Sequence, residues 1–214
     1  MRFSVESDLD QVSRKLTYLQ RSQIPFAASK TLNQLGYQIA KRTMPEKADE
    51  TFKGGATAWT KKGFKYTKAD KRKLFVDVFV DKSQAKYMKF MIAGGTRFPD
   101  KRAILVSTKQ ARLNKYGNFP RGKVASMIND KRKFFTGTPK GQPSKPAGIW
   151  ERYGRGSKAG GQRIRLVALY TEDAQYMPLF PFGTFGEKVV FSRDDGFAKK
   201  FRVNLAQAIS TMKR

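Results

Sequence analysis

Apolar residues change their spacing several times along the chain, and each spacing predicts an element. Val5, Leu9, Val12, Leu16 and Leu19 recur at intervals of three and four, which predicts a helix over about residues 6–20. Ser22 reads as the N-cap of a second helix through QIPFAASKTLNQLGYQIAKRTM, with Pro25 in a first turn where its missing N–H would have been unpaired anyway. Ala28, Leu32, Leu35 and Ile39 form its predicted buried face, Lys41 and Arg42 suit the negative end of the helix dipole, and Pro45 is expected to stop it. KLFVDVFVD alternates Leu74, Val76, Val78 and Val80 with Phe75, Asp77, Phe79 and Asp81, so it predicts a strand with two partly apolar faces. SQAKYMKFMIAGG predicts a helix closed by Gly94 and Gly95.

Further on, AILVS at 103–107 reads as a short strand or a buried turn and KVASMIN as part of a short helix near 122–129. KFF, GIWERY and RIRLVALY are spaced for an antiparallel meander. Ala198, Phe201, Leu205, Ile209 and Met212 predict a C-terminal helix. The order of elements predicts an α+β fold, with N-terminal helices and a C-terminal helix packed on an antiparallel β-sheet in a single domain over residues 1–214. ETFKGGATAWTKKGFKYTKADKRK shows no helical period, and the stretch after Gly137 is rich in Pro, Gly, Ser and Lys. Mobile basic loops are therefore expected at about 53–73 and 137–161.

Composition narrows the chemistry. The 214 residues include 44 Lys or Arg and 17 Asp or Glu, a formal charge of +27, with no cysteine and no histidine. Disulfides, thiolate or imidazole metal sites, thiol nucleophiles and histidine-based triads are impossible within this chain. The acids are scattered, so carboxylate chemistry has no cluster to work from. The reading is of a protein that is not an enzyme, with no cofactor, no metal site and no small-molecule substrate. GRGSKAGG at 154–161 holds phosphate-friendly residues but lies between predicted strands and does not open a helix, so it is not a P-loop. No apolar run is long enough to predict a membrane span, and MRFSVESDLDQ lacks the apolar stretch of a signal peptide.

A charge this large disfavours the isolated compact state and points to a polyanion or an acidic protein partner. It is also unevenly placed. Lys61, Lys62, Lys65, Lys68, Lys71 and Arg72 are the first candidates for phosphate contact, and Arg152, Arg155, Lys158, Arg163 and Arg165 the second. Trp59, Phe64 and Tyr66 interleave with the first set; they could stack on bases, staple the loop to the body, or form a surface that orders only against a protein neighbour.

Several motifs carry a family resemblance. IPFAASKTLNQLGYQIAKR, a helix opened by Pro with an Ala-rich face and an Asn, resembles bacteriophage proteins of the minor tail protein Z and tail-completion type. YMKFMIAGGTRFPDKRAIL, LNKYGNFPRGKV, GIWERYGRG and RIRLVALY resemble phage structural proteins of similar length that we take as relatives of that group. The likeness runs from about residue 23 to 212, and the chain departs from shorter members at 53–73 and 137–147. The resemblance implies a virion structural protein of the neck or proximal tail that completes the tail and helps join it to the DNA-filled head. It also implies a host-cytoplasmic stage during assembly, a homo-oligomeric ring, other neck and tail proteins as partners, and non-specific contact with genomic DNA in the channel. Two alternatives remain open from composition. One is a ribosomal-type RNA-binding protein with basic Gly/Pro extensions. The other is a protein–protein adaptor whose charge meets an acidic ring without touching DNA.

Overall fold

A computed structural model describes residues 14, 16–100, 102–157 and 161–211. The fold class is α+β, with helices and antiparallel strands. The chain divides into two compact units. The first holds the described residues through Glu50, Thr57–Lys86 and those from Pro181 on; the second holds Thr51–Ala56 and Tyr87–Phe180.

The first unit is built on a long helical run. Most of the predicted 6–20 helix lies outside the described residues, but Arg14 and residues 16–18 are helical. They lead into a π turn at Leu19–Gln23, helix α1 at Ile24–Gln38, a second π turn at Ile39–Thr43 and helix α2 at Met44–Thr51. The helix neither begins at Ser22 nor ends at Pro45. In each π turn the following residue bonds five positions back, Ile24 N–H to the Leu19 carbonyl and Met44 N–H to the Ile39 carbonyl. A proline follows one residue later both times, at Pro25 and Pro45. In an ordinary α turn a proline ring strikes the carbonyl four residues back; the wider turn makes room for it, and the run continues.

Helix α7, Phe197–Ser210, packs antiparallel on α1. The hydrogen bonds set the direction: Lys30 reaches Gln207, Gln34 reaches Asn204 and Gln38 reaches Asp195. The buried face of α1 is Ala27, Thr31 and Leu35, continuing to Ile39, with the expected Ala28 and Leu32 only half-buried. On α7 the face is Asn204 and Ala208, flanked by Phe201 and Leu205, while Ala198 and Ile209 face solvent. Apolar spacing placed Leu35 and Ile39 correctly and misplaced part of each face because this contact has a polar centre. Asn204 Nδ2 donates to Thr31 Oγ1 at 2.9 Å and to Gln34 Oε1 at 2.8 Å.

Helix α3, Ala58–Lys62, starts at Thr57, whose hydroxyl accepts from the Thr60 N–H. Strands β1, Phe64–Tyr66, and β2, Val78–Val80, form an antiparallel ribbon. Regular elements therefore occupy part of the 53–73 stretch expected as a loop, and only three residues of the 73–81 stretch expected as a strand are paired. Phe64 explains the first difference: it is fully buried and stacks on Phe182, the first residue of helix α6, Phe182–Val190. Gly36 lets the ribbon approach α1, since a Cβ there would sit 2.6 Å from Val76 Cγ1 and 2.8 Å from Tyr66 Cδ2.

Helix α4, Lys82–Ala93, ends as predicted on Gly94 and Gly95, both with positive φ. In the second unit β3, Gly95–Arg97, pairs with β8, Ala174–Tyr176. The main sheet has the order β4-β7-β6-β5, where β4 is Ile104–Ser107, β5 Phe134–Gly137, β6 Gly148–Ser157 and β7 Gly161–Thr171. The expected meander is present, and regular strand replaces much of the predicted 137–161 loop. Helix α5, Lys123–Asn129, covers the sheet through Met127, which joins Phe134, Ile149, Val167 and Ala168 in one apolar cluster. Helices thus pack on antiparallel strands in each unit, through different elements.

Phe64→Ala is expected to destabilise the first unit by about 3–5 kcal/mol, the usual cost of emptying a fully buried aromatic site. Urea unfolding followed by circular dichroism checks it.

Candidate nucleic-acid interface

The first candidate set lies on and around the β1–β2 ribbon. Beyond the ladder, the Thr67 N–H donates to the Asp77 carbonyl at 2.9 Å and the Asp77 N–H to Thr67 Oγ1 at 2.8 Å, which extends the ribbon outward. At the tip the Asp70 N–H donates to the Lys73 carbonyl, and Asp70 Oδ1 accepts from the N–H groups of Arg72 and Lys73, both at 2.7 Å. Asp followed by polar residues is a turn former for this reason. The Lys73 and Arg72 N–H groups, then their charges, hold the Asp70 carboxyl below the ordinary value.

Asn33 of α1 clamps the same segment. Its Nδ2 donates to the Ala69 carbonyl at 2.9 Å and its Oδ1 accepts from the Ala69 N–H at 2.8 Å, the pairing a neighbouring strand would supply. The tip so held presents Lys68, Lys71, Arg72 and Lys73, all exposed and none in an ion pair among the described residues. Lys71 Nζ lies 5.3 Å from the Phe26 ring centre and Lys73 Nζ 5.7 Å from that of Phe75, with the two rings 41% and 50% exposed. Cations over half-exposed rings suit both phosphate and base faces.

The rest of the first set divides. Lys61 is ion-paired to Asp49, Lys62 is exposed, and Lys65 is half-buried opposite Phe79 in the ladder. Beside Lys65, Lys41 Nζ donates to the Phe64 carbonyl at 2.7 Å; burial, then the Lys65 charge, push the Lys41 pKa down. Among the aromatics, Phe64 is core and Tyr66 is half-buried, edge-on to Tyr37 at 6.5 Å. Both act as staples, whereas Trp59 is 52% exposed.

Strand β6 contributes Arg152 and Arg155 to the second set and β7 contributes Arg163 and Arg165; Lys158 lies outside the described residues. Two of them serve the fold. Arg152 lies over the Phe135 ring at 4.7 Å and donates to the carbonyls of Lys131, Arg132 and Phe134. Arg165 donates through Nε to Glu151 Oε2 at 2.7 Å, and Lys133 Nζ lies 3.3 Å from Glu151 Oε1. Arg163 is exposed. Strand register decides this, because Glu151 and Arg165 stand directly opposite each other.

A groove of about 980 Å³ runs along the α1–α7 pair. Phe26, Tyr37, Tyr66 and Val203 supply apolar surface, amides including Gln34 and Asn204 line it, and Lys30, Arg42 and Lys199 stand on it with Asp194 and Asp195, none of these three cations in an ion pair among the described residues. Asp195 accepts from Gln38 and Lys200, and those two bonds hold its carboxyl below the ordinary pKa.

Among the described residues no group of three or more acidic side chains could hold a metal, and no helix is long and apolar enough to cross a membrane. Comparison with family models, curated proteins and solved structures finds no match to this chain. Sequence reasoning did not place Asn33, Phe26, Lys73 or Phe75 among the candidate contacts. The only signals were an Asn on a helix of mostly small and apolar residues and an Asp three positions before Lys73.

Two predictions follow the geometry. Asn33→Ala removes both bonds to Ala69, and at roughly 1 kcal/mol each amide exchange at Ala69 should accelerate about tenfold or more; unchanged protection would refute the clamp. Burial alone would raise the Glu151 carboxyl, but Arg165 and Lys133 outweigh it and leave its pKa below the ordinary 4.5. The stability it contributes is therefore present above that value and is lost as pH falls through the lowered folded pKa. In urea unfolding across the acid range, Glu151→Gln should show a weaker pH dependence than the parent chain.

Proposed function

We propose that this chain is a non-enzymatic bacteriophage structural protein of the neck or proximal tail. It completes the tail and helps join it to the filled head, as one of several copies in a ring, with sequence-independent phosphate contacts to the DNA that passes through. The observation that carries the reading is the ribbon tip: four exposed cations, none in an ion pair among the described residues, held by a backbone turn and a two-point side-chain clamp. Positioned cations bind phosphate at less entropic cost than cations on a floppy loop. The motif resemblance described above supports the phage setting. The total charge supports a polyanion at close range, since several copies at +27 each would otherwise repel one another.

The tip narrows the first set of candidates to Lys68, Lys71 and Arg72, joined by Lys73. Arg152 and Arg165 support the sheet and are set aside as phosphate contacts. Salt dependence of duplex binding discriminates a local contact from bulk attraction. Reversing Lys68, Lys71 and Arg72 to Glu should flatten the log–log salt slope by roughly 0.9 per lost phosphate contact. Reversing the exposed Lys82, Lys86 and Lys109 instead should change it much less. Equal effects in the two variants would remove the tip from the interface.

Electron microscopy of lysates from a phage lacking the gene tests the role itself. DNA-filled heads beside separate, near-normal tails are expected. Intact infectious particles would overturn the neck assignment.

A further inference from the structure

A cavity of about 60 Å³ lies where α5 meets the main sheet, within the second unit. Met127, Phe134 and Val167, all buried, supply its apolar surface. Four cations line it, Arg112, Lys123, Lys133 and Arg165, against one acid, Glu151. Arg165 and Glu151 answer each other, since Nε and Nη2 both lie 2.7 Å from Glu151 Oε2. Lys133 Nζ is held more loosely, 3.3 Å from Glu151 Oε1, with its side chain 56% exposed. Arg112 and Lys123 have neither an ion pair nor a side-chain hydrogen bond among the described residues.

Hydrogen bonds place these last two cations. Thr108, just past β4, donates its N–H to the Val167 carbonyl at 3.0 Å and its hydroxyl to the Leu166 carbonyl at 2.6 Å. Its own carbonyl accepts the Ala111 N–H at 3.0 Å, which fixes the turn before Arg112. Asn114 Oδ1 then accepts from the N–H groups of Tyr116 and Asn118, both at 3.0 Å, and the Asn114 N–H donates to the Asn118 carbonyl at 2.8 Å. So closed, the loop packs Phe119 on the apolar cluster of the sheet, and the Lys123 N–H bonds the Pro120 carbonyl at 3.0 Å as α5 begins. Arg112 and Lys123 thus reach one cavity from opposite ends of a loop held against the sheet.

Four cations against one acid leave a net charge of +3 around a small volume, with Glu151 already committed to Arg165. Lys123 is only half-exposed, so water screens the mutual repulsion incompletely. A compact oxyanion of more than one charge relieves it. A guanidinium fork and two ammonium groups match the tetrahedral oxygens of a phosphoryl group, whereas a lone carboxylate brings one charge and two oxygens and leaves cations unanswered. We propose that this cavity is a phosphate-binding site, in which Arg112, Lys123 and Lys133 hold the phosphoryl oxygens while Arg165 stays on Glu151. Free phosphate and the backbone of a nucleic acid share this chemistry. The site has no residue in common with the ribbon tip and does not depend on the neck reading, so either can fail without the other.

The test is an NMR titration of the nitrogen-15-labelled full chain with sodium phosphate, at fixed pH and with sodium chloride keeping the ionic strength constant. The parent chain should show saturable shifts at the backbone amides of Arg112, Lys123 and Lys133, a result that needs no variant to fold. Arg112→Gln with Lys123→Gln should raise the dissociation constant at least about tenfold, since two charge-assisted contacts are lost. Lys82→Gln with Lys86→Gln removes the same charge from exposed positions of the first unit and should leave the constant within about twofold. Duplex binding then separates the two sources of phosphate. If the Arg112 and Lys123 variant flattens the log–log salt slope by roughly 0.9 per lost contact, the cavity takes a backbone phosphate; a slope equal to that of the Lys82 and Lys86 control assigns it to free phosphate. Both results presuppose the phosphate titration, which alone decides whether the site exists. Shifts that do not saturate in the parent, shifts that miss the cavity amides, or a double variant that binds phosphate as the parent does would each overturn the proposal.

Discussion

The first unit depends on one buried polar contact, Asn204 with Thr31 and Gln34, at the centre of the α1–α7 pair. Thr31 is fully buried and Asn204 nearly so, and an unpaired amide or hydroxyl there would cost on the order of 1–3 kcal/mol. Sliding either helix by one turn breaks both hydrogen bonds, so apolar area alone would permit several registers and this network selects one. The consequences run outward from it. With Thr31 facing α7, Asn33 sits two positions on and about 200° round the helix, where it reaches Ala69 and clamps the ribbon tip. Gly36 then lies where the ribbon must come close, and a side chain there would strike Val76 and Tyr66. The groove is the remaining open side of the same pair.

A second constraint is charge. The acids that form contacts in this structure act mainly as architecture. Asp49 holds Lys61, Asp70 holds the turn at the ribbon tip, Glu151 holds Arg165 and Lys133 across the sheet, and Asp195 holds Lys200 and Gln38. Each neutralises cations or backbone donors that the fold has to place. The cations left over gather on the ribbon tip and along the groove, where no described acid pairs with Lys71, Arg72, Lys30 or Lys199. A large formal charge thus becomes a few positioned patches. The two patches differ in kind. The tip is convex and narrow, with cations over rings, while the groove is long and mixed with amides.

Much of the second unit was legible from local pattern. The Gly94–Gly95 stop, the short strand at 104–107, the helix near 123–129 and the antiparallel meander all follow from side-chain period and from turn chemistry within a few residues. These signals are local because backbone hydrogen bonding and β-strand alternation are local. The prolines were legible as residues that strain an α turn, yet not as residues that the helix would bypass. A π turn answers that strain with hydrogen-bond register, and register has no compositional mark.

Sequence by itself determined the α+β class, the excess of positive charge and the impossibility of thiol or imidazole chemistry, because each depends only on which residues are present and how they alternate. Tertiary structure alone decided which cations are available. Arg165 and Lys68 look alike in a basic stretch, but strand pairing sets Arg165 opposite Glu151, and a turn held by Asp70 and Asn33 leaves Lys68 in solvent. The same holds for the helix faces, where a buried asparagine and threonine take the centre of a contact that the apolar stripe only partly marks. What a charged or polar residue does depends on the partner brought to it, and that partner is as much as 177 positions away, as Gln207 is from Lys30.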